Sequence, residues 1–224
     1  MKKLILVSAL ALCGAINAQE FKYGLKAGYA ASKMTIKPNA TEYGNLEEKF
    51  KPGFSAGGFV EYMFSEKLAL QGELQYANLG GTWRANVSEP GISMTMDVKN
   101  SVNQILIPVS LKYYVLPQLS LYAGPFAGFK TSVKSDLEIS GLPADVMSMI
   151  EPEIAALEAE FEKELDEGTQ STQIGVFVGT DYSIYRGLFV DARYSLGLTN
   201  WVKDPMDGEE SKMSFFQIGL GYKF

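Results

Sequence analysis

The sequence predicts an all-β chain: an eight-stranded antiparallel up-and-down β-barrel that is transmembrane, with an amphipathic helical insertion in its third outer loop. Three observations predict it. Apolar residues recur with a period of two rather than 3.6, tight turns alternate with long connections, and the one stretch of helical periodicity falls inside the third long connection. Composition closes off other classes. The 224 residues carry 20 Lys+Arg against 26 Asp+Glu, a formal charge of -6 that disfavours a nucleic-acid partner. There is no His and one Cys, so no Ser-His-Asp triad, Cys-His dyad, His-based zinc site or facial-triad iron site can be built. No enzymatic activity, cofactor or metal site is expected.

The chain opens with Lys2-Lys3, an apolar run from Leu4 to Leu12, and the small-residue stretch Gly14-Ala15-Ile16-Asn17-Ala18. That order is a secretory signal peptide over residues 1–18, cleaved after Ala18, with an apolar segment too short to span a bilayer. Cys13 would be the acylated residue of a lipoprotein, but Leu12 before it is too large for that processing. Cleavage leaves 19–224 as one barrel domain with no cysteine and a formal charge of -8, 18 bases against 26 acids. No apolar run in 19–224 is long enough for a transmembrane helix.

Strand one, near 20–32, sets Phe21, Tyr23, Leu25, Ala27 and Tyr29 against Lys22, Gly24, Lys26 and Gly28. Strands near 53–64 and 67–82 follow, joined by Ser65-Glu66; in the second, Leu68, Leu70, Leu74 and Tyr76 oppose Gln71, Glu73 and Gln75. Strands near 101–115 and 119–133 flank Leu116-Pro117-Gln118, and those near 171–185 and 187–199 flank Arg186-Gly187. The last, 212–224, alternates Phe216, Ile218, Leu220, Tyr222 and Phe224 with Gln217, Gly219, Gly221 and Lys223. The remaining connections, near 33–52, 83–100, 134–170 and 200–211, are long. Short turns at one end and long loops at the other are the plan of a barrel in an outer membrane.

A lipocalin-like barrel or a sandwich would use similar strands but bury the apolar face. Lipid is favoured because the apolar faces carry almost no charge, and a midplane Lys or Arg costs about 2–4 kcal/mol there. Aromatics also gather at strand ends. Tyr62, Phe64, Tyr113, Tyr182, Tyr222 and Phe224 form the expected turn-side belt, and Tyr29, Tyr76, Trp83, Phe129, Trp201 and Phe216 the loop-side one.

Gln217, Gly219, Tyr222 and Phe224 match the C-terminal barrel-insertion signal of outer-membrane proteins: polar, any, Gly, any, any, apolar, any, terminal aromatic. This resemblance implies recognition by the barrel assembly machinery during biogenesis. The segments Lys22–Gly28, Leu70–Tyr76, Ile107–Tyr113 and Ala192–Leu198 resemble the small PorT-like outer-membrane β-barrel domains typical of Bacteroidota. The resemblance implies the barrel fold, the cell outer membrane and contact with its lipid. It carries over no catalytic residue; a component of a secretion or transport apparatus is one role it allows.

An eight-stranded barrel is narrow enough for side chains to fill. The inward set includes Lys22, Lys26, Glu61, Gln71, Glu73, Gln75, Lys112, Asp181, Asp191, Arg193, Gln217 and Lys223, so the interior is expected to be polar. Glu73, Arg193 and Lys112 are expected in one ionic network, with Glu61 or Asp191 nearby, because an isolated buried charge costs several kcal/mol. A network that fills the lumen passes little; a small-solute channel is the alternative.

Residues 135–167 hold 11 acids and one base, Lys163, a local charge of -10. Val146, Ile150, Ile154, Leu157, Phe161 and Leu165 recur at helical spacing, which predicts an amphipathic helix within a partly helical outer loop at 134–170. Pro152 predicts two helical pieces meeting near Ser148–Pro152. The stripe would face the barrel rim, another loop or an extracellular or outer-membrane protein partner. No carboxylate spacing matches a calcium loop. The expected function is non-enzymatic, a structural or interaction role exercised through the long loops. The sequons at Asn39 and Asn86 are read as chance.

Overall fold

The computed structural model describes residues 21–37, 46–89, 92–203 and 210–224. The export signal, Cys13 and the Asn39 sequon lie outside the described residues. The elements are β1 (Phe21–Lys37), β2 (Leu46–Lys49), β3 (Lys51–Met63), β4 (Leu68–Glu89), β5 (Ile92–Leu116), β6 (Leu119–Ser140), α1 (Ala144–Gly168), β7 (Thr172–Tyr185), β8 (Leu188–Gly197) and β9 (Glu210–Lys223). All strand pairs are antiparallel, and β1 pairs with both β3 and β9 while β4 pairs with β5, so a ring of eight closes. β2 pairs with Thr82–Ala85 of β4, beyond the reach of β3. The two segments are one wall strand interrupted at Phe50.

Closure fixes which side of each strand faces in. Leu25, Leu74, Leu111, Val178 and Leu220 are exposed on the outer surface, whereas Glu61, Lys112 and Asp181 keep 0, 1 and 2% of their surface. A soluble barrel or a sandwich would invert this. So large a continuous apolar surface is stable only against lipid.

The short turns fall where the sequence places them. At Arg186-Gly187 both residues have positive φ, 41° and 87°, the two-residue form whose twist suits a hairpin. Near that end Phe21, Tyr62 and Phe64 pack in series, tilted and then edge to face, at 4.9 and 5.0 Å, and Phe224 lies between Tyr23 and Tyr222 at 5.5 and 5.2 Å. At the other end the outward face turns polar along one row: Asn78 Nδ2 donates to Asn103 Oδ1 (2.8 Å), and Asn103 Nδ2 to Ser132 Oγ (2.9 Å). Exposed Tyr76 and Phe129 sit just below that row. The apolar band therefore ends at Asn78–Asn103–Ser132.

The connection expected near 33–52 is partly strand, since β1 runs to Lys37 and β2 holds Leu46–Lys49, and two further connections differ from expectation. Residues 83–100 are not a loop: β4 and β5 stay paired out to Glu89 and Ile92. With β6 they span 22, 25 and 22 residues, about twice the 9–11 that cross a bilayer, so a three-stranded wall rises beyond the membrane. Its strands persist because cross-strand partners continue there, as with Arg84 opposite Asp97 and Asn86 opposite Thr95. The expected outer loop at 134–170 accordingly begins as strand, since 134–140 continue β6. The second difference is that α1 is one 25-residue helix with Pro152 inside it, not two pieces. Proline removes one backbone hydrogen bond, and packing on β6 just beyond it holds the helix to the wall. Ile154 is buried two residues later, and Glu158 Oε1 accepts Leu137 N–H at 2.6 Å. No helix of the described residues is long and apolar enough to cross a membrane, which says nothing of the strands.

Candidate functional site

The turn-side half of the lumen is ionic. Arg193 (β8) and Lys26 (β1) both pair with Glu73 (β4), and Lys26 Nζ lies 3.0 Å from Glu73 Oε2 and 3.3 Å from Asp191 Oδ1. Lys112 (β5) pairs with Glu61 (β3) at 3.0 Å and with Asp181 (β7), and Lys223 Nζ lies 3.5 Å from Asp181. Gln71 joins the two clusters: its Oε1 accepts from Lys112 Nζ at 3.0 Å, and its Nε2 donates to Glu73 Oε1 at 2.7 Å. Tyr114 donates to Glu61 and Tyr122 to Asp191, each occupying a carboxylate oxygen that a cation leaves open. Glu61, Glu73, Asp181 and Asp191 thus face Lys26, Lys112, Arg193 and Lys223. The charges balance, as a desolvated network must.

The sequence reading placed Glu61, Glu73, Lys112, Asp191 and Arg193 inside, and the structure links all five through Gln71. It missed both tyrosines. Their signal was the strand phase: Leu121 and Tyr113 face out, so Tyr122 and Tyr114 face in. Gly179 on β7 makes room, because a Cβ there would come within 2.4 Å of the Tyr122 ring.

The loop-side half is different. Arg193 stacks on Phe177 at 4.3 Å, and above it the interior is filled by Met34, Leu79, Val102, Phe126, Met213 and Phe215, all buried. Phe126 and Phe215 meet edge to face at 5.6 Å. The expected polar interior is continuous in the turn-side half only; here polar side chains are few, with Gln104 and Gln173 buried among the apolar ones. Trp83 and Trp201, expected in the loop-side aromatic belt, instead belong to this inner layer: Trp201 is 6% exposed, and Trp83 packs partly buried against the cluster.

Beyond the apolar layer, α1 folds across the inner face of the risen wall. Its C-terminal carbonyls are capped from outside the helix: Asp166 O accepts from Lys130 Nζ (2.6 Å) and Glu167 O from Lys203 Nζ (2.8 Å). Cations there complement the helix dipole in a last turn that has none of its own. Between α1 and the wall lies an open cavity of about 490 Å³, with Trp83 and Val98 on the wall side and Phe161 and Leu165 on the helix side. On the outer face of the same wall, Arg84 Nε and Nη2 donate to the two oxygens of Asp97 at 2.6 Å each. That fork holds the Asp97 carboxyl below the ordinary carboxylate range. Among the described residues no cluster of three or more Cys, Asp or Glu could hold a metal ion.

Residues 17–203 match the model of a family described as outer membrane protein beta-barrel domain. The chain belongs to that family. A barrel of this family resides in the outer membrane with its apolar face on lipid; the match does not extend to the PorT-like group. No curated protein matches the chain. Among solved structures it is similar to Ail, the attachment invasion locus protein of Yersinia pestis, at 16% identity and a TM-score of 0.43, covering 92% of this chain and 99% of that one. It is also similar to Neisserial surface protein A, at 13% identity and TM-score 0.44 over 90% and 97% of the two chains. For OprG from Pseudomonas aeruginosa the values are 14%, 0.39, 92% and 96%. The closed ring and the family match, not these distant likenesses, carry the fold.

In this outer-membrane barrel the terminal motif lies on β9, the strand that closes the ring. Gln217 points inward and donates to Gln75 Oε1 at 3.2 Å, Gly219 sits opposite Gly28 of β1, and Tyr222 and Phe224 face out. The helical stripe divides. Ile154 is buried, Ile150 and Leu165 are half-buried, and Val146, Leu157 and Phe161 remain exposed, so barrel packing uses only part of it.

Proposed function

We propose that the protein is a sealed, non-enzymatic barrel of the outer membrane whose loop-side end is a recognition platform facing outside the cell. The observation that carries this reading is the doubly closed lumen: a charge-balanced ionic layer, then an apolar layer, occupy the interior along its length. A solute path would have to open both. Short turns on the periplasmic side are the rule for such barrels, which points the β4–β5–β6 wall and α1 outward. The exposed Val146, Leu157 and Phe161 on α1 favour an extracellular or outer-membrane protein partner. The chain has no His, which removes the imidazole that acid–base and nucleophilic catalysis most often use. The terminal Gln217, Gly219, Tyr222 and Phe224 would serve the barrel assembly machinery before β9 pairs with β1, and the PorT-like resemblance of four segments supports a place beside that Bacteroidota group.

The test is conductance. Refolded protein in planar bilayers should show no stable opening. A steady conductance that changes with Lys112→Met or Phe215→Ala would overturn the sealed barrel and favour a small-solute channel.

A further inference from the structure

The open cavity between α1 and the wall has features that a solvated lid does not need. At about 490 Å³ it falls within the range of small-molecule sites, roughly 300–1,000 Å³. Its lining is mostly apolar, with an aromatic ring on each side: Trp83 from the wall and Phe161 from the helix. Phe161 is 41% exposed where the helix borders the cavity. Leu165, at the base, packs with Trp83 and Val202 against the apolar layer below, so the site rests on a rigid floor. A few polar groups converge there. Asn100 Oδ1 accepts from Ser135 Oγ at 2.9 Å, and the Thr169 hydroxyl accepts from Lys130 Nζ at 3.0 Å.

Charge sets the sign of the occupant. Glu164 is the one ionised side chain lining the cavity, and among the described residues it has no cationic partner. It belongs to a segment, 135–167, of net charge -10, of which Lys99 and Lys130 neutralise Glu138 and Asp166 through ion pairs. An anion would be repelled by Glu164 and the acids around it, whereas a cation would be drawn toward them. Aromatic faces attract cations through their quadrupoles, so the two rings and the carboxylate select for the same charge.

We propose that this cavity is a binding site for a small hydrophobic cation: an apolar or aromatic body bearing a quaternary or protonated amine or a comparable onium group. The body lies between Trp83 and Phe161 on the Leu165 floor, and the charge lies toward Glu164. The assignment rests on the reading of the loop-side end as the recognition end and names the chemistry that end accepts.

The test uses the mature chain, residues 19–224, refolded into nanodiscs of zwitterionic lipid, with folding verified by gel mobility. Tetraphenylphosphonium and its anionic counterpart of the same shape, tetraphenylborate, serve as probes, with empty nanodiscs subtracted. The chain has two Trp residues, so quenching is assigned with Trp83→Phe. Saturable quenching by the phosphonium, at least tenfold stronger than by the borate, is expected. Phe161→Asp should weaken it about tenfold and Glu164→Gln about threefold; both positions are exposed, so the barrel should fold unchanged. Equal binding of the two ions, undiminished binding in Phe161→Asp, or only the partition seen in empty nanodiscs would overturn the site. Any of these with closed bilayers would leave the sealed-barrel reading standing; a steady conductance with intact phosphonium binding would do the reverse.

Discussion

The two halves of the lumen share one wall and one strand period yet are built from opposite chemistry. On the turn side, Glu61, Glu73, Lys112, Asp181 and Arg193 are buried and hold one another through charge. On the loop side, Leu79, Val102, Phe126 and Phe215 fill the same bore as an ordinary apolar core. Lipid dictates only the outer face of a strand. The inner face is free to change, and here it changes at Arg193, whose guanidinium pairs with Glu73 and lies over Phe177. The ionic half resists slippage because each charge has a fixed partner. The apolar half continues past the Asn78–Asn103–Ser132 row and becomes the floor of the α1 cavity. One half closes the pore, and the other supports the site.

The strongest way to break this contrast is Lys112→Met. The substitution keeps volume but leaves Glu61 and Asp181 buried beside Lys223 alone. Removing one partner of a buried pair costs about 3–5 kcal/mol, so the urea midpoint of folding into liposomes, read by gel mobility, should fall steeply. Neutralising the cluster together, as Lys112→Met and Lys223→Met with Glu61→Gln and Asp181→Asn, should recover most of the loss, since no charge is then stranded. A quadruple variant weaker than Lys112→Met would show that hydrogen-bond geometry, not charge balance, holds that half.

Leu79→Ala probes the other half. Leu79 is fully buried in the apolar layer. Truncation there should cost about 2–5 kcal/mol, according to how far the neighbours collapse into the space. No companion substitution of charge should rescue it, and its loss should add to that of Lys112→Met, because Leu79 and Lys112 lie in different layers of the lumen. A loss well under 1 kcal/mol would mean that the loop-side half is loosely packed and contributes little to closure.

The outer surface of this barrel was legible in the sequence and much of its interior was not, for one physical reason. Where the inner face is charged, as at Gln71, Glu73 and Gln75 between Leu70, Leu74 and Tyr76, the alternation is plain and each inward residue can be named. Where the inner face is apolar too, alternation vanishes: Ile105-Leu106-Ile107 reads as a continuous run although only Leu106 is buried among them. The same loss hid the inward Trp83, whereas Trp201 lies between β8 and β9, where no alternation exists to mark it. The rise of β4 and β5 beyond the membrane was equally faint, because Arg84, Asp97 and Lys99 look like loop residues until their cross-strand partners are known. Periodicity located α1, but the cavity depends on where the helix lies against the wall, and no spacing within one segment encodes that.

The smallest expected effect concerns the ion pair outside the membrane, and it tests whether a partly exposed pair behaves like the buried network. Arg84 grips both oxygens of Asp97 on the outer face of the wall, and water reaches the pair mainly through the guanidinium, whose side chain is 36% exposed against 12% for the carboxylate. The hydrogen bond from Arg84 is the main reason that the Asp97 value lies below 3.8. A depressed value means that the pair's contribution is complete above the unfolded carboxylate value, near 4, and is lost as pH falls through the folded one. Backbone amide shifts of 81–86 and 94–99, followed by NMR in nanodiscs from pH 6 to pH 2.5, should therefore move in a single step with a midpoint below 3.8. Asp97→Asn should abolish that step while leaving the barrel's gel mobility unchanged at neutral pH. A step that survives in Asp97→Asn would place its origin in other carboxylates of the loop-side end, and the wall would then be held by its backbone ladder rather than by this fork.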